Sequence, residues 1–198
     1  QKRGLTAMRG PVNPSLNYES GLLVDGFGSA PFFMMTYNPS YYERLLEAYG
    51  LTKVQDLYAY WGHVDMVPEL SPKHAAMHRA VIERFGIRVR PMHVRRFGQE
   101  VAMFLRLYNE SLGATWGFVP FSAAEIRELA AAMRYLIVPE LTRVAEVDGQ
   151  PIGAVLGLPD YNPRIRAIDG RLFPWGFCRL LRNRRAIRRI RFLTANVL

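Results

Sequence analysis

The apolar residues of this chain recur with two periods, and the points where one gives way to the other mark its elements. The stretch NPSYYERLLEAYG carries helical punctuation: Asn38 as N-cap, Pro39 in the first turn and Gly50 just past the end. Residues 53–64, KVQDLYAYWGHV, are aromatic and roughly alternating, which predicts a strand. Ser71-Pro72 opens a second helix that ends at Gly86. Residues 87–92, IRVRPM, alternate strictly and predict a short strand. Helical spacing returns over 97–112, with Val101, Phe104, Leu105, Tyr108 and Leu112 on one stripe. Ser122 and Glu125 form a capping-box pattern that starts a further helix, which runs to Val138 and stops at Pro139. LTRVAEV and QPIGAVLGL flank Asp148-Gly149, and that dipeptide predicts a tight β-hairpin. A loop over 160–163 leaves the hairpin. A basic helix over 175–185 then leads to a last strand, IRRIRFLTANVL.

Composition bounds this picture. A chain of 198 residues is one large domain or two small ones. With 49% hydrophobic residues it has enough apolar surface for a sizeable core. No uncharged apolar run is long enough to span a bilayer, and no secretion signal is visible at the start. Cys178 is the one cysteine, so no internal disulfide forms. Among Phe177, Leu180 and Leu181 it reads as a small packed hydrophobe, and a reducing cytoplasmic compartment is expected.

Charge changes the picture at the end of the chain. Ten arginines and one acid, Asp169, lie between Arg164 and Arg191, a surplus equal to the +9 of the whole chain. Arg179, Arg182, Arg185 and Arg189 repeat at helical spacing beside Trp175, Phe177, Leu180 and Leu181. Such a face suits nucleic acid or an anionic membrane, and arginine forks suit phosphate. It also suits long-range steering of an anionic cofactor, or plain solvation. The chain starts at Gln1 and stops on an apolar strand without a turn or polar tail, so a piece of a longer protein is expected.

Polar residues crowd one long loop. RGPVNPSLNYESGLLVDGFGSAPFF holds Asn13, Asn17 and Glu19 next to a strand end, as a substrate-binding or domain-contact loop would. The same residue types also cap turns through local hydrogen bonds. His74 and His78 stand four apart, but HAAMH lacks the glutamate of the zinc-protease motif and no third ligand is evident, so no metal is expected.

From residue 87 the order strand, helix, helix, hairpin, strand resembles the opening half of the GNAT superfamily of N-acetyltransferases. AEVDGQPIGAVLGLPDYN is similar to that superfamily's hairpin, and IRRIRFLTANVL resembles the strand along which acetyl-CoA lies. TAMRGPVNP, NPSYYERLLEAYGL and KVQDLYAYW are similar to a strand, helix and strand from the closing half of the same fold. With RGPVNPSLNYESGLLVDGF, MMTYNPSYY, WGFVPFS and LPDYN they resemble a bacterial family carrying two GNAT-like domains in tandem. The resemblance implies an α/β fold, a mixed β-sheet flanked by helices and incomplete at both ends. Residues 1–67 would be the C-terminal half of a first domain, 68–86 a helical linker, and 87–198 the N-terminal half of a second domain, cut before the acetyl-CoA pyrophosphate loop.

The implied activity is transfer of acetyl from acetyl-CoA to an amine, small-molecule or peptide, with the chain by itself inactive. That chemistry needs a proton acceptor, a donor for the thioester oxygen and N–H groups for the pyrophosphate. Thr194, Ala195, Asn196, Val197 and Leu198 match the cofactor-facing strand. No pyrophosphate loop is present in the sequence. Leu46 stands where the superfamily's thiolate-protonating tyrosine is expected, which makes the first domain a supporting one. Base candidates are Glu146 and Asp160. Acceptor-site candidates are Asn13, Asn17, Glu19, Trp116, Phe118, Tyr161 and Asn162, with packing of the loop as the other reading of Trp116 and Phe118. The rival function is a non-catalytic module that binds nucleic acid or anionic membrane through residues 164–191.

Overall fold

The computed structural model of the chain describes residues 4, 6–13, 15–69 and 72–198. The architecture is mixed α/β, with helices and a four-stranded antiparallel sheet in the order β1-β2-β3-β4. The elements are α1 (Tyr42–Ala48), α2 (Pro72–Phe85), β1 (Arg88–Pro91), α3 (Phe97–Ser111), α4 (Ala123–Met133), β2 (Thr142–Val147), β3 (Gln150–Pro159), α5 (Asn162–Ala167), α6 (Gly176–Leu181) and β4 (Ile190–Val197). They fall into two compact units. One is made of Gln1–Leu57, Leu112–Phe121 and Pro159–Arg191, the other of Tyr58–Ser111, Ser122–Leu158 and Phe192–Leu198. Compactness thus interleaves the chain, whereas boundaries at 67 and 86 divide it consecutively.

The sheet unit follows the hydrophobic pattern closely. Val144 pairs with Arg90 on one side and Ala154 on the other. A register shift after Ala145 leaves Ile152 of β3 as an extra residue. Asp148 and Gly149 both take positive φ, 50° and 74°, as a tight turn with the strands' own twist requires. On the far side of β3, the Leu198 N–H donates to the Ile152 carbonyl at 2.9 Å. The α3 stripe buries Val101, Phe104, Leu105 and Leu107, together with Val144, Ala154, Leu158, Ile137 and Val138. Leu107 is fully buried, and each such side chain stabilises the fold by roughly 1.5–3 kcal/mol. Tyr108 is half-buried, and Leu112 lies past the end of α3. The Ser122–Glu125 capping box forms in full at the start of α4.

Elsewhere propensity yields to missing partners. Residues 51–63 carry no regular structure, so the strand expected over 53–64 does not form. Its aromatics find no strand edge to pack on among the described residues, and Tyr60 stays 91% exposed. Among the described residues of TAMRGPVNP the only β-pairing is the bridge from Val12 to Ser20, because prolines remove ladder donors. The first helix is shorter than its punctuation, with Tyr41 as N-cap. The Asn38 side chain turns away instead. It accepts from Leu23 N–H at 2.7 Å and donates to the carbonyls of Leu23 and Pro39. Ser71, the expected opener of α2, lies outside the described residues.

Helix α4 stops at Met133, five residues before Val138. Val138 is extended, as a residue before proline should be, and Pro139 starts a short 3₁₀ turn. The basic helix is only the six residues of α6, ended by an extended Arg182 and a left-handed Asn183. Arg179, Arg182, Arg185 and Arg189 therefore do not share one helical face. The expected loop over 160–163 instead runs into α5. Cys178 is exposed rather than packed. Among the described residues no helix is long and apolar enough to cross a membrane.

Close approach of strands depends on Gly153. A Cβ there would sit 2.9 Å from the Asn196 carbonyl oxygen. Gly153→Ala is expected to destabilise the protein by about 1–3 kcal/mol in urea unfolding, by forcing strands apart. Gly28→Ala, in open space, should stay within about 0.5 kcal/mol of the parent.

Candidate functional site

The best-defined polar site of the sheet unit lies under β4. Asn196 is 1% exposed, and its Oδ1 accepts from Ser111 Oγ at 3.2 Å and from Thr194 Oγ1 at 3.0 Å. Its Nδ2 is buried with no partner among the described residues. Thr142 Oγ1, on β2, is likewise buried without a partner. Buried polar atoms left this way are uncommon, because each carries a desolvation cost.

The backbone of β4 adds donors. It is the last strand of the sheet, so one edge has no strand partner among the described residues. The Leu198 N–H points toward β3. Strand alternation then turns the N–H groups of Ala195 and Val197 to the open edge. Of the five cofactor-facing candidates, Thr194 and Asn196 thus belong to the buried polar cluster, while Ala195 and Val197 offer edge donors and exposed side chains. Leu198 closes the pairing with Ile152.

The two base candidates are in different units, and both are engaged. Glu146 Oε1 accepts from Arg90 Nε at 2.7 Å, while Arg90 Nη1 donates to Glu100 Oε2 at 2.9 Å. These three charges are largely buried, which accounts for their tight pairing. Hydrogen bonding to Glu100 raises the Arg90 pKa above its ordinary value. Burial opposes this, and Glu146 adds to the rise. Asp160 is buried. Its Oδ1 accepts from the N–H groups of Phe33 (2.9 Å) and Asn162 (3.2 Å). Its Oδ2 lies 3.2 Å from Arg189 Nε, within ion-pair reach but outside hydrogen-bond geometry. Arg189 also covers the Phe32 ring at 4.1 Å.

The acceptor-site candidates all belong to the unit that holds Asp160, and they gather in two places. Asn17 Nδ2 donates to the Val119 carbonyl at 2.8 Å, and the Asn13 N–H donates to the Glu19 carbonyl at 3.0 Å. Both Asn13 and Glu19 are exposed. Arg9 lies over the Trp116 ring at 4.4 Å, and Phe118 is half-buried in the same loop. In the second place, Tyr161 is fully buried edge-on to Phe33, and Asn162 Nδ2 donates to the Pro31 carbonyl at 2.8 Å. Burial raises the Tyr161 hydroxyl pKa, while Arg184 and Arg164 pull it down. His74 and His78 are exposed on α2, and among the described residues no group of three metal-ligating side chains occurs.

Sequence reasoning missed the Arg90–Glu100–Glu146 and Ser111–Asn196 clusters. One signal was available: Glu100 interrupts the apolar stripe of α3, and a charge at a core position requires a partner.

The chain spans about half the length of the curated relatives it matches. It is 35% identical over 180 residues to a Caulobacter vibrioides protein named bacterial ceramide synthase, a match covering 90% of this chain and 46% of that protein. It is 31% identical over 182 residues to the Escherichia coli protein YghO, covering 91% of this chain and 46% of YghO. No family model matches the chain, and no solved structure matches it.

Arg90→Met is expected to destabilise the protein by about 3 kcal/mol, because it strands the buried Glu100 and the half-buried Glu146. Arg90→Lys, which keeps the charge but loses the fork, should fall between. Urea unfolding checks both; an unchanged midpoint for Arg90→Met would show that the cluster is not structural.

Proposed function

We propose that this chain forms part of an N-acyltransferase of GNAT type, which moves an acyl group from a CoA thioester to the amine of a sphingoid base. The observation that carries the reading is the similarity, over nine-tenths of the chain, to a protein named for ceramide synthesis. Ceramide is the amide of a long-chain base, so the reaction class is amide formation from an activated acyl group. On this reading the transferred group is the acyl chain of a ceramide, where the sequence by itself suggests acetyl. The strand, helix, helix, hairpin, strand order and the open edge of β4 support the same reading.

In this reaction the amine nitrogen attacks the thioester carbonyl, a C–N bond forms, and the C–S bond breaks. The proton lost from nitrogen balances the one taken up by the departing thiolate. The thioester oxygen gains negative charge on the way, and backbone N–H groups on a strand edge are suited to it because they need no reorientation. In this proposal the N–H groups of Ala195 and Val197 take that role. Asn196 acts beneath them: with Ser111 and Thr194 it fixes the height of the strand against α3. Glu146 and Asp160 are read as positioning acids, since Arg90 holds one and two backbone N–H groups and Arg189 hold the other.

Exchanging the matching segment of the Caulobacter protein for this chain tests the reading. A folded chimaera is expected to form ceramide from a long-chain acyl-CoA and a sphingoid base, read by mass spectrometry. A chimaera with native circular dichroism that makes no amide, beside an active parent, would sink the proposal.

A further inference from the structure

The sequence places a block of arginines near the end of the chain, and the fold divides it into two sets. Arg164 is turned inward: its guanidinium donates to the carbonyls of Leu180, Arg182 and Asn183, at 2.9 Å for the first and last. Arg189 pairs with Asp160, and Arg191 donates to the Phe33 carbonyl at 3.0 Å. Burial lowers the Arg191 pKa from its ordinary value. Arg166, Arg171, Arg179, Arg182, Arg185 and Arg188 are exposed, and Arg184 is half-buried. Only Asp169 lies near them in sequence, 3.7 Å from Arg171, and no carboxylate occurs between Gly170 and Arg191.

Between these exposed arginines the chain presents large apolar side chains to solvent. Phe173 is 86% exposed and Trp175 73%, with Leu172 and Phe177 also exposed. The segment is held in shape from behind. The Phe177 N–H donates to the Leu172 carbonyl at 2.7 Å, Gly176 is buried, and the Arg164 fork ties the end of α6. The exposed aromatics are therefore presented by a fastened turn.

We propose that the 171–182 segment is a docking surface for an anionic lipid bilayer, with Phe173 and Trp175 entering the headgroup region and Arg166, Arg171, Arg179 and Arg182 meeting the lipid phosphates. Charge complementarity identifies the occupant. A bilayer is the partner that takes exposed apolar side chains and flanking cations together, and tryptophan is suited to the interface because its ring is amphipathic. A nucleic acid would be met by arginines lining a groove with aromatics set for base stacking. Here α6 is only six residues long and its arginines do not align. The proposal rests on this surface alone and does not depend on the acyltransfer reading.

Co-sedimentation of the whole chain with vesicles tests it. Binding is expected to phosphatidylcholine vesicles containing phosphatidylglycerol, and to be at least about tenfold weaker to phosphatidylcholine alone. The Phe173→Ser/Trp175→Ser pair and the Arg179→Glu/Arg182→Glu pair should each weaken binding by about tenfold or more with unchanged circular dichroism. Arg143→Glu, on the exposed side of β2, should leave it unaltered. In a Trp61→Phe/Trp116→Phe background, brominated lipid should quench Trp175. Equal binding to neutral vesicles, no effect of the aromatic pair, or displacement from vesicles by duplex RNA would each overturn the proposal.

Discussion

The sheet unit depends on how α3 is tied across the sheet. Its first turn carries Glu100, which reaches Arg90 on β1, and its last residue, Ser111, reaches Asn196 on β4. The two ties therefore reach the first and last strands, with the apolar stripe of the helix between them. Hydrophobic burial is non-directional and would tolerate a rotated or shifted helix. A hydrogen bond at each end does not, because a displaced partner leaves a buried polar group unsatisfied. The helix thus sets the position of β4, the last strand of the sheet among the described residues.

The other unit uses buried polar anchors to order a segment with little regular structure. Asn38 holds the backbone of Leu23 from both sides, and Asp160 holds Phe33 while starting the turn into α5. Asn162 adds Pro31, and Arg191 adds the Phe33 carbonyl. A long loop has few ladder partners of its own, so its backbone groups must find them in side chains. Residues 9–33 are loop-like in sequence because of their prolines and glycines. The described residues among them are held by side chains outside the loop, Asn38 nearby and Asp160, Asn162 and Arg191 far along the chain.

Much of the fold was legible. The Asp148-Gly149 turn, the Ser122–Glu125 box, the stripe of α3 and the short strand at β1 are local rules, settled within a few residues. The expectations that did not hold share a cause. KVQDLYAYWGHV has strand composition, but a strand exists only when an edge accepts it. The arginine repeat over 179–189 has helical spacing, but Asn183 and the extended Arg182 end the helix first. Asn38 has the composition of a cap, and a nearby backbone competed for its side chain.

Of the candidate residues, the sequence brought forward those of β4 and, in the other unit, those around Tyr161, but not what holds either group. Asn196 was one of five strand residues, with nothing to show that it alone would be buried against Ser111, 85 residues away. Arg90, Glu100 and Glu146 are ordinary charges on three separate elements until the register opposes Arg90 to Val144 and places Glu146 beside it. By itself, then, the sequence determined the stripe of α3, the cap of α4, the tight hairpin and the basic surplus of the last third, since these follow from backbone preference and composition. The tertiary structure alone decided which arginines are consumed inside and which face solvent, and which polar groups become buried, because both depend on partners distant in the chain.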